Sequence, residues 1–469
     1  AAGRAVGTAG SAVVFAGLTV IIALAGLAVC GIPFLTQMGL GGAFTVAISV
    51  AIALTLLPAI LGFAGTRVTR GMPRYLKKHQ AAGAELPEPR TQGRRWVEGI
   101  NRFRWPALLG GIALALVASI PVASMQLALP DDSTRPAGSD ARVAYDLIAE
   151  NFGDGFNGPL VVVVDTEGAA DPAGAVASVT EELQALAGED GSDIAVVVPA
   201  VAADTPEAQA LFAAQLDAVQ FATLTVIPAS GPSDEATKEL VADIRGAVED
   251  LPAETGARAL VTGQTAVGVD IANELTSVFP LYLLVVVGLA VFLLIAVFRS
   301  VLVPVKAALG FLLSVGVSLG ATVAVFQWGW LNELLGLDTT SPVLFILPIL
   351  LTGILFGLAM DYEVFLLSRI VEAHEQGDDD ARAVAVGIQR CGRIVTSAAL
   401  LMIIVMLGFA AARMIVVKQL GVGLALSIAL DATLVRMILV PATMTLMGRW
   451  NWWAPAFLKR WHARFGFTH

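Results

Sequence analysis

Long apolar runs separated by short polar breaks set the pattern of this chain. Eight of them, at roughly 11–31, 40–64, 105–125, 276–298, 301–326, 342–368, 394–413 and 419–443, reach or exceed about 20 residues. That is the helix length that crosses ~30 Å of hydrocarbon. Between the third and fourth runs the period changes. Pro159–Asp165, Ile194–Pro199, Phe221–Ile227 and Ala259–Thr262 read as strands, and Ala175–Leu186, Ala202–Ala218 and Ser233–Leu251 as helices. Strand, helix, strand, strand, helix, strand is the split βαβ order, here with an extra helix between the middle strands. The pattern predicts a polytopic α-helical membrane protein with an inserted α+β domain.

Composition agrees with a membrane chain. Hydrophobic residues make up 56% and charged residues 14%, against ~45–50% and ~25% in soluble domains. The charge is unevenly placed. Residues 126–276 hold 26 Asp and Glu against five Lys and Arg, whereas residues 66–104 hold ten Lys and Arg against three acids. Positive residues stay inside, so 66–104 is predicted to be cytoplasmic, carrying Arg67, Arg70, Arg74, Lys77, Lys78 and Arg90. Arg299, Lys306, the Arg369–Arg393 stretch and the tail with Arg449, Lys459 and Arg460 then fall inside too. The acidic 126–275 block falls outside. Arg413 and Lys418, in one short outer loop, are the exception.

These patterns divide the chain into two spans (1–65), a basic cytoplasmic linker with an interfacial helix (66–104), a span (105–125), an extracytoplasmic domain (126–275), five spans (276–443) and an amphipathic cytoplasmic tail (444–469). Arg94–Trp105 and Trp450–Trp461 both alternate basic, aromatic and apolar residues, as interfacial anchors do. Cys30 and Cys391 fall at opposite membrane faces as small apolar residues. No Walker loop or Cys/His metal spacing occurs, so neither a cofactor nor ATP is expected, and no nucleic-acid partner.

The chemistry concentrates in the sixth run. Gly353, Gly357 and Asp361 are spaced i, i+4, i+8 and share one helix face. Two glycines let another helix approach closely, which draws the carboxylate into a helix interface. A carboxylate at that depth costs about 2.5–3.5 kcal/mol on insertion scales, so it needs a partner or a purpose. Loading and releasing a proton is one such purpose, with the hydroxyl of Tyr362 beside it. Asp431 and Arg436 form a second constellation. Five residues apart, they do not face each other squarely on an α-helix. They read either as relay members that pair with Asp361 or a neighbouring helix, or as a static ion pair. Glu363 and Arg369 read as a solvated helix end, and Lys306 as a snorkelling side chain.

An internal repeat is also legible. Arg4-Ala-Val-Gly with Ser11–Ile22 echoes Arg382-Ala-Val-Ala-Val-Gly with Thr396–Ile404, and Ala53–Pro58 echoes Ala432–Val435 with Pro441. By that symmetry a further outer domain and further spans are expected before residue 1, with a second Asp-Tyr pair among them. Parallel repeats are a transporter habit.

Gly357-Leu-Ala-Met-Asp-Tyr-Glu-Val-Phe-Leu-Leu-Ser-Arg369, Phe298-Arg-Ser-Val-Leu-Val-Pro304, Leu430-Asp-Ala-Thr-Leu-Val-Arg436 and Asn451-Trp-Trp-Ala-Pro455 resemble the MMPL transporters of the resistance–nodulation–division superfamily. The resemblance covers essentially the whole chain. It implies twelve spans in two pseudo-two-fold halves, each with a porter-like outer domain, of which the first four spans and the first outer domain would lie outside this sequence. It implies export of lipids or hydrophobic and amphipathic small molecules across the inner (plasma) membrane of a bacterium, driven by protons. Asp361-Tyr362 matches the relay pair of the tenth span. The expected partners are lipid or other hydrophobic substrate, protons, membrane lipids, the N-terminal half and, as an open possibility, further copies of the chain. Two alternatives stand beside this reading: a lipid-sensing receptor of the same fold, and an intramembrane aspartyl protease using Asp361 and Asp431.

Overall fold

The computed structural model describes residues 2–65, 92–200, 205–298, 300–377, 379–456, 458 and 460; for residues 2–9, 11, 12, 92, 206, 252, 296, 297 and 361 it describes the backbone. Arg67, Arg70, Arg74, Lys77, Lys78, Arg90, Arg299, Lys459 and Trp461 lie outside the described residues, as does the side chain of Arg4.

Among the described residues, eight helices are long and apolar enough to cross a membrane. They are α1 (Ala2–Ala25, continued by a tight turn to Cys30), α2 (Pro33–Ala64), α4 (Arg104–Ser119), α9 (Gln264–Phe298), α10 (Leu302–Phe326), α11 (Leu347–Glu375), α12 (Asp380–Ala410) and a last span from Ile415 to Trp452. That last span begins as α13 (Ile415–Leu430), passes through a π-helical stretch, Asp431–Leu439, and resumes as α14 (Val440–Met447). A shorter helix, α3 (Gln92–Arg102), precedes α4.

The helices extend beyond the apolar runs at several ends. α2 starts at Pro33, whose fixed φ and missing N–H suit a first helical position. α9 starts at Gln264, so one continuous helix, with Pro280 inside it, joins the fourth apolar run to the inserted domain.

The inserted domain carries α5 (Asp140–Phe152), β2 (Leu160–Asp165), α6 (Pro172–Ala187), β3 (Ile194–Val198), α7 (Pro206–Val219), β4 (Phe221–Pro228), α8 (Glu235–Ala247) and β5 (Arg258–Thr262). The strands pair antiparallel in the order β3-β4-β2-β5, the arrangement of a split βαβ sheet. Alternation fixes which face is covered. Leu160, Val162 and Val164 of β2 and Leu224 and Val226 of β4 point to one face. There they pack with Val176, Val179 and Leu183 of α6 and Leu240, Val241 and Ile244 of α8. α6 is capped by Asp171, whose carboxylate accepts from Gly174 N, and α7 by Thr205. A two-residue parallel pair, β1 (Leu127–Ala128) with β6 (Val343–Leu344), ties the exit of α4 to the entry of α11.

In the membrane part, α10 and α11 are central. One apolar cluster joins α1, α9, α10 and α11 through Ala23, Leu27, Tyr282, Phe311, Leu355 and Phe356. A second joins α3, α11, α12 and the last span through Val97, Leu367, Ile370, Val384, Ile388 and Leu439. α2 instead presents Phe34, Phe44, Ile52 and Leu56 outward, as a lipid-facing span does.

The two amphipathic segments are more than membrane anchors. Trp96 of α3 donates its indole N–H to Met437 O at 2.9 Å, and Val97 is fully buried. In the tail, Asn451 is buried and donates to Met444 O and Gly448 O, while Trp452 stacks on His374 with ring centroids 4.3 Å apart.

Candidate functional site

The glycine face of α11 lies against α1 and α9. A Cβ on Gly357 would sit 2.6 Å from Val20 Cγ2, and one on Gly353 would sit 2.6 Å from the Tyr282 hydroxyl. Real Cβ atoms do not come that close, so only glycine allows this helix separation. Tyr282 itself is fully buried in α9, and its hydroxyl points to Ala23 O at 3.5 Å. It is the only tyrosine in its apolar run, which is the signal that marks it, although the motif reading passed over it. One turn beyond Gly357, α11 runs through Asp361, whose side chain lies outside the described residues, and Tyr362, which is half-buried.

The last span reaches this turn of α11 through Arg436. Asp431 and Arg436 were expected not to face each other, and here the structure corrects the reading. Between Asp431 and Leu439 the backbone is π-helical, with hydrogen bonds from i+5 to i. That wider turn brings residues five apart together, and Arg436 Nε meets Asp431 Oδ2 at 2.6 Å. Both side chains are buried, at 3% and 8% exposure. The other oxygen of Asp431 accepts from Ser314 Oγ of α10 at 2.9 Å. Arg436 Nη2 donates to Ala359 O of α11 at 2.5 Å, and the guanidinium lies 5.0 Å from the centre of the Tyr362 ring. The remaining nitrogen, Nη1, is buried with no hydrogen-bond partner among the described atoms. One guanidinium therefore joins a carboxylate, a backbone carbonyl and an aromatic face on two spans.

Glu363 is a second correction. It was read as part of a solvated helix end, yet it is 7% exposed and its Oε1 is buried without a hydrogen-bond partner among the described atoms. It lies within electrostatic reach of Arg436, Asp431 and Lys306. Lys306, read as snorkelling, instead turns to the tail, where its Nζ donates to Asn451 Oδ1 at 3.3 Å. Arg369 does lie at a wet helix end, 42% exposed and paired with Glu372. Glu363 was missed because hydropathy places it near the end of its span, whereas α11 continues as a helix to Glu375.

From Asp431, α10 continues the polar line toward its C-terminal end. Ser314, Ser318 and Thr322 share one face and are almost fully buried. Ser318 Oγ donates to Ser314 O and Thr322 Oγ1 to Ser318 O. Hydroxyls at i, i+4, i+8 lie in one row on a helix, and this row ends on the Asp431 carboxylate.

A buried cation holding two spans together through a π-helical turn, inside a bundle that carries a split βαβ domain, defines a multi-pass membrane protein with ionisable side chains between its spans. Comparison with known proteins gives that class a family. The model of the MMPL family matches residues 1–109 and 133–467, and the chain belongs to that family. It is 40% identical over 458 residues to the membrane protein YdfJ of Bacillus subtilis, which covers 97% of this chain and 59% of that protein. It is 34% identical over 458 residues to the mycolic acid-containing lipids exporter MmpL11 of Mycolicibacterium smegmatis, covering 97% of this chain and 46% of that one. Against the trehalose monomycolate exporter MmpL3 of Mycobacterium tuberculosis the identity is 30% over 490 residues, with 99% and 50% coverage. The chain thus spans about half the length of the curated relatives it matches. A structure of the hedgehog release protein Disp from a water bear, Hypsibius dujardini, shares the fold with a TM-score of 0.60 at 17% identity, covering 94% of this chain and 58% of that one.

Proposed function

We propose that this chain forms part of a proton-motive-force-driven exporter of lipids or other hydrophobic molecules. The observation that carries this reading is the position of Arg436, held between Asp431, Ala359 O and the Tyr362 ring. Arg436 reaches α11 through Ala359 O and the Tyr362 ring, and Asp431 on its own span holds the guanidinium in that direction while its carboxylate is ionised. Protonating a carboxylate there removes an attraction of several kcal/mol in a low-dielectric site. Arg436 is then free to re-pair, and the two spans can shift. Asp361 and Tyr362 lie within a turn of Ala359, so a proton on Asp361 acts on the same contact. Gly353 and Gly357 keep α1 close enough for the movement to pass between the repeats. α9, continuous from Gln264 to Phe298, transmits it to the outer domain. In this reading residues 126–275 face the outside, protons enter along Ser314, Ser318 and Thr322, and substrate moves between outer domains. The lipid-exporting relatives support the substrate class.

An aspartyl protease would need two carboxyls sharing one proton about 3 Å apart. Asp431 is instead ion-paired with Arg436. A lipid-sensing receptor would keep the fold without flux. Reconstituting the intact transporter separates these readings. Asp361→Asn should retain insertion and folding yet abolish proton-coupled lipid flux, since an amide keeps the shape and cannot exchange a proton. Wild-type flux in that variant would remove Asp361 from the mechanism.

A further inference from the structure

Arg413 and Lys418 break the charge rule that the rest of the chain obeys, and the proton mechanism uses neither. Lys418 is 9% exposed at the outer end of α13. Its ammonium is held by two backbone carbonyls, Leu335 O at 2.6 Å and Gly336 O at 3.2 Å. No carboxylate lies within ion-pair distance of it among the described residues. Arg413, in the loop between α12 and α13, is exposed and has no described partner at all. The two line a concavity of about 180 Å³ together with Arg135, Gly336, Asp338 and Thr339. The single carboxylate among them, Asp338, is engaged by Ala137 N at 3.1 Å, and Arg135 is turned to Asp132 at 3.0 Å. The concavity is therefore cationic.

Its depth is set by the neighbouring loop. Trp328 and Trp330 follow α10 directly, are 46% and 60% exposed, and meet edge to face at 5.9 Å. Leu331 and Leu334 are exposed at 53% and 79% just beyond them, on the segment that Lys418 holds. Paired tryptophans with exposed leucines at the end of a span mark the membrane–water interface. The loop is fixed to the base of the outer domain, since Gln126 N donates to Gln327 Oε1 at 3.0 Å and Trp328 Nε1 to Ser124 Oγ at 3.2 Å. The concavity thus opens at headgroup level on the side of the outer domain.

We propose that this concavity binds a phosphate-bearing anion presented by an anionic phospholipid of the outer leaflet. The phosphate sits against Arg413 and the rim above Lys418, and an acyl chain runs along Trp330 and Leu334. Cations placed outside against the charge rule, Arg413 and Lys418 without a carboxylate partner among the described residues and set beside an interfacial apolar surface, fit a lipid phosphate better than a soluble anion. The proposal does not depend on proton coupling.

Native mass spectrometry of the intact transporter released from nanodiscs tests it, with phosphatidylglycerol, phosphatidylcholine and inorganic phosphate as probes. The basic cytoplasmic face also attracts anionic lipid, so the readout is the difference between wild type and Arg413→Gln. Wild type should retain one more phosphatidylglycerol than the variant and bind it about fivefold more tightly, as one surface cation does for an anionic headgroup. Arg413→Lys should restore that lipid, and phosphatidylcholine should show no difference. Equal phosphatidylglycerol retention by wild type and Arg413→Gln would overturn the site. Binding of inorganic phosphate without phosphatidylglycerol would overturn the lipid as its source.

Discussion

Removing Arg436 tests both the packing and the chemistry of the membrane core. In Arg436→Met, Asp431 keeps one described donor, Ser314 Oγ at 2.9 Å, and α11 loses the bond to Ala359 O and the cation over Tyr362. Breaking a buried ion pair by removing one partner costs about 3–5 kcal/mol in soluble proteins, while single polar contacts between spans average ~0.6 and reach ~1.7 kcal/mol. Three contacts are lost here and a carboxylate is left under-partnered, so we expect about 3 kcal/mol, roughly two powers of ten in the equilibrium. Asp431→Leu should cost a similar amount by stranding the guanidinium. The double variant Asp431→Leu/Arg436→Met replaces both charges with apolar groups and should recover to within about 1 kcal/mol of wild type. Thermal unfolding in nanodiscs reads this as apparent Tm values lowered by on the order of 5 °C in each single variant and largely restored in the double. Flux should stay absent in all three, because the stable double variant has no charge to move. Single variants with wild-type Tm would refute the buried pair. A double variant with wild-type flux would show that Asp431 and Arg436 form a static ion pair that only fixes packing.

Two further outcomes follow from the packing. Gly357→Leu should lower the Tm in nanodiscs by several degrees, because its Cβ would lie 2.6 Å from Val20 Cγ2, and Val20→Ala should recover part of the loss; an unchanged Tm in Gly357→Leu would show that α1 yields freely there. Residues 126–273, expressed alone, should give a cooperative α+β circular dichroism melt, since the apolar cluster on the covered sheet face lies wholly between Leu160 and Val269; a disordered spectrum would show that the domain depends on its spans.

The spans and the sheet were legible in the sequence because each rests on a strong local period. A run of about 20 apolar residues has few other uses, and Leu160–Asp165 reads as a buried strand in any context. Helix ends were less legible. Hydropathy reports contact with lipid, whereas α9 continues as a helix through Gln264–Thr276, a stretch that carries Asp270, Asn273 and Glu274. The Asp431–Arg436 contact was hidden for a different reason. Reading side-chain neighbours from spacing assumes 3.6 residues per turn, and the π-helical stretch changes that number. Lys306 was misplaced because its partner is Asn451, and Glu363 because the charges around it are Lys306, Asp431 and Arg436, all far away in sequence. Lys418 was visible as a charge in the wrong place, but its two carbonyl partners belong to a loop about 80 residues earlier.

The most direct measurement of the central claim is lipid flux under an imposed pH gradient, with the intact transporter in proteoliposomes and the membrane potential clamped to zero. With the acid side on the face that bears the β-sheet domain, lipid should move toward that side while protons enter the opposite compartment. Both fluxes should vanish when an ionophore collapses the gradient. Lipid movement at the same rate without a gradient, or without accompanying proton uptake, would contradict proton-coupled export.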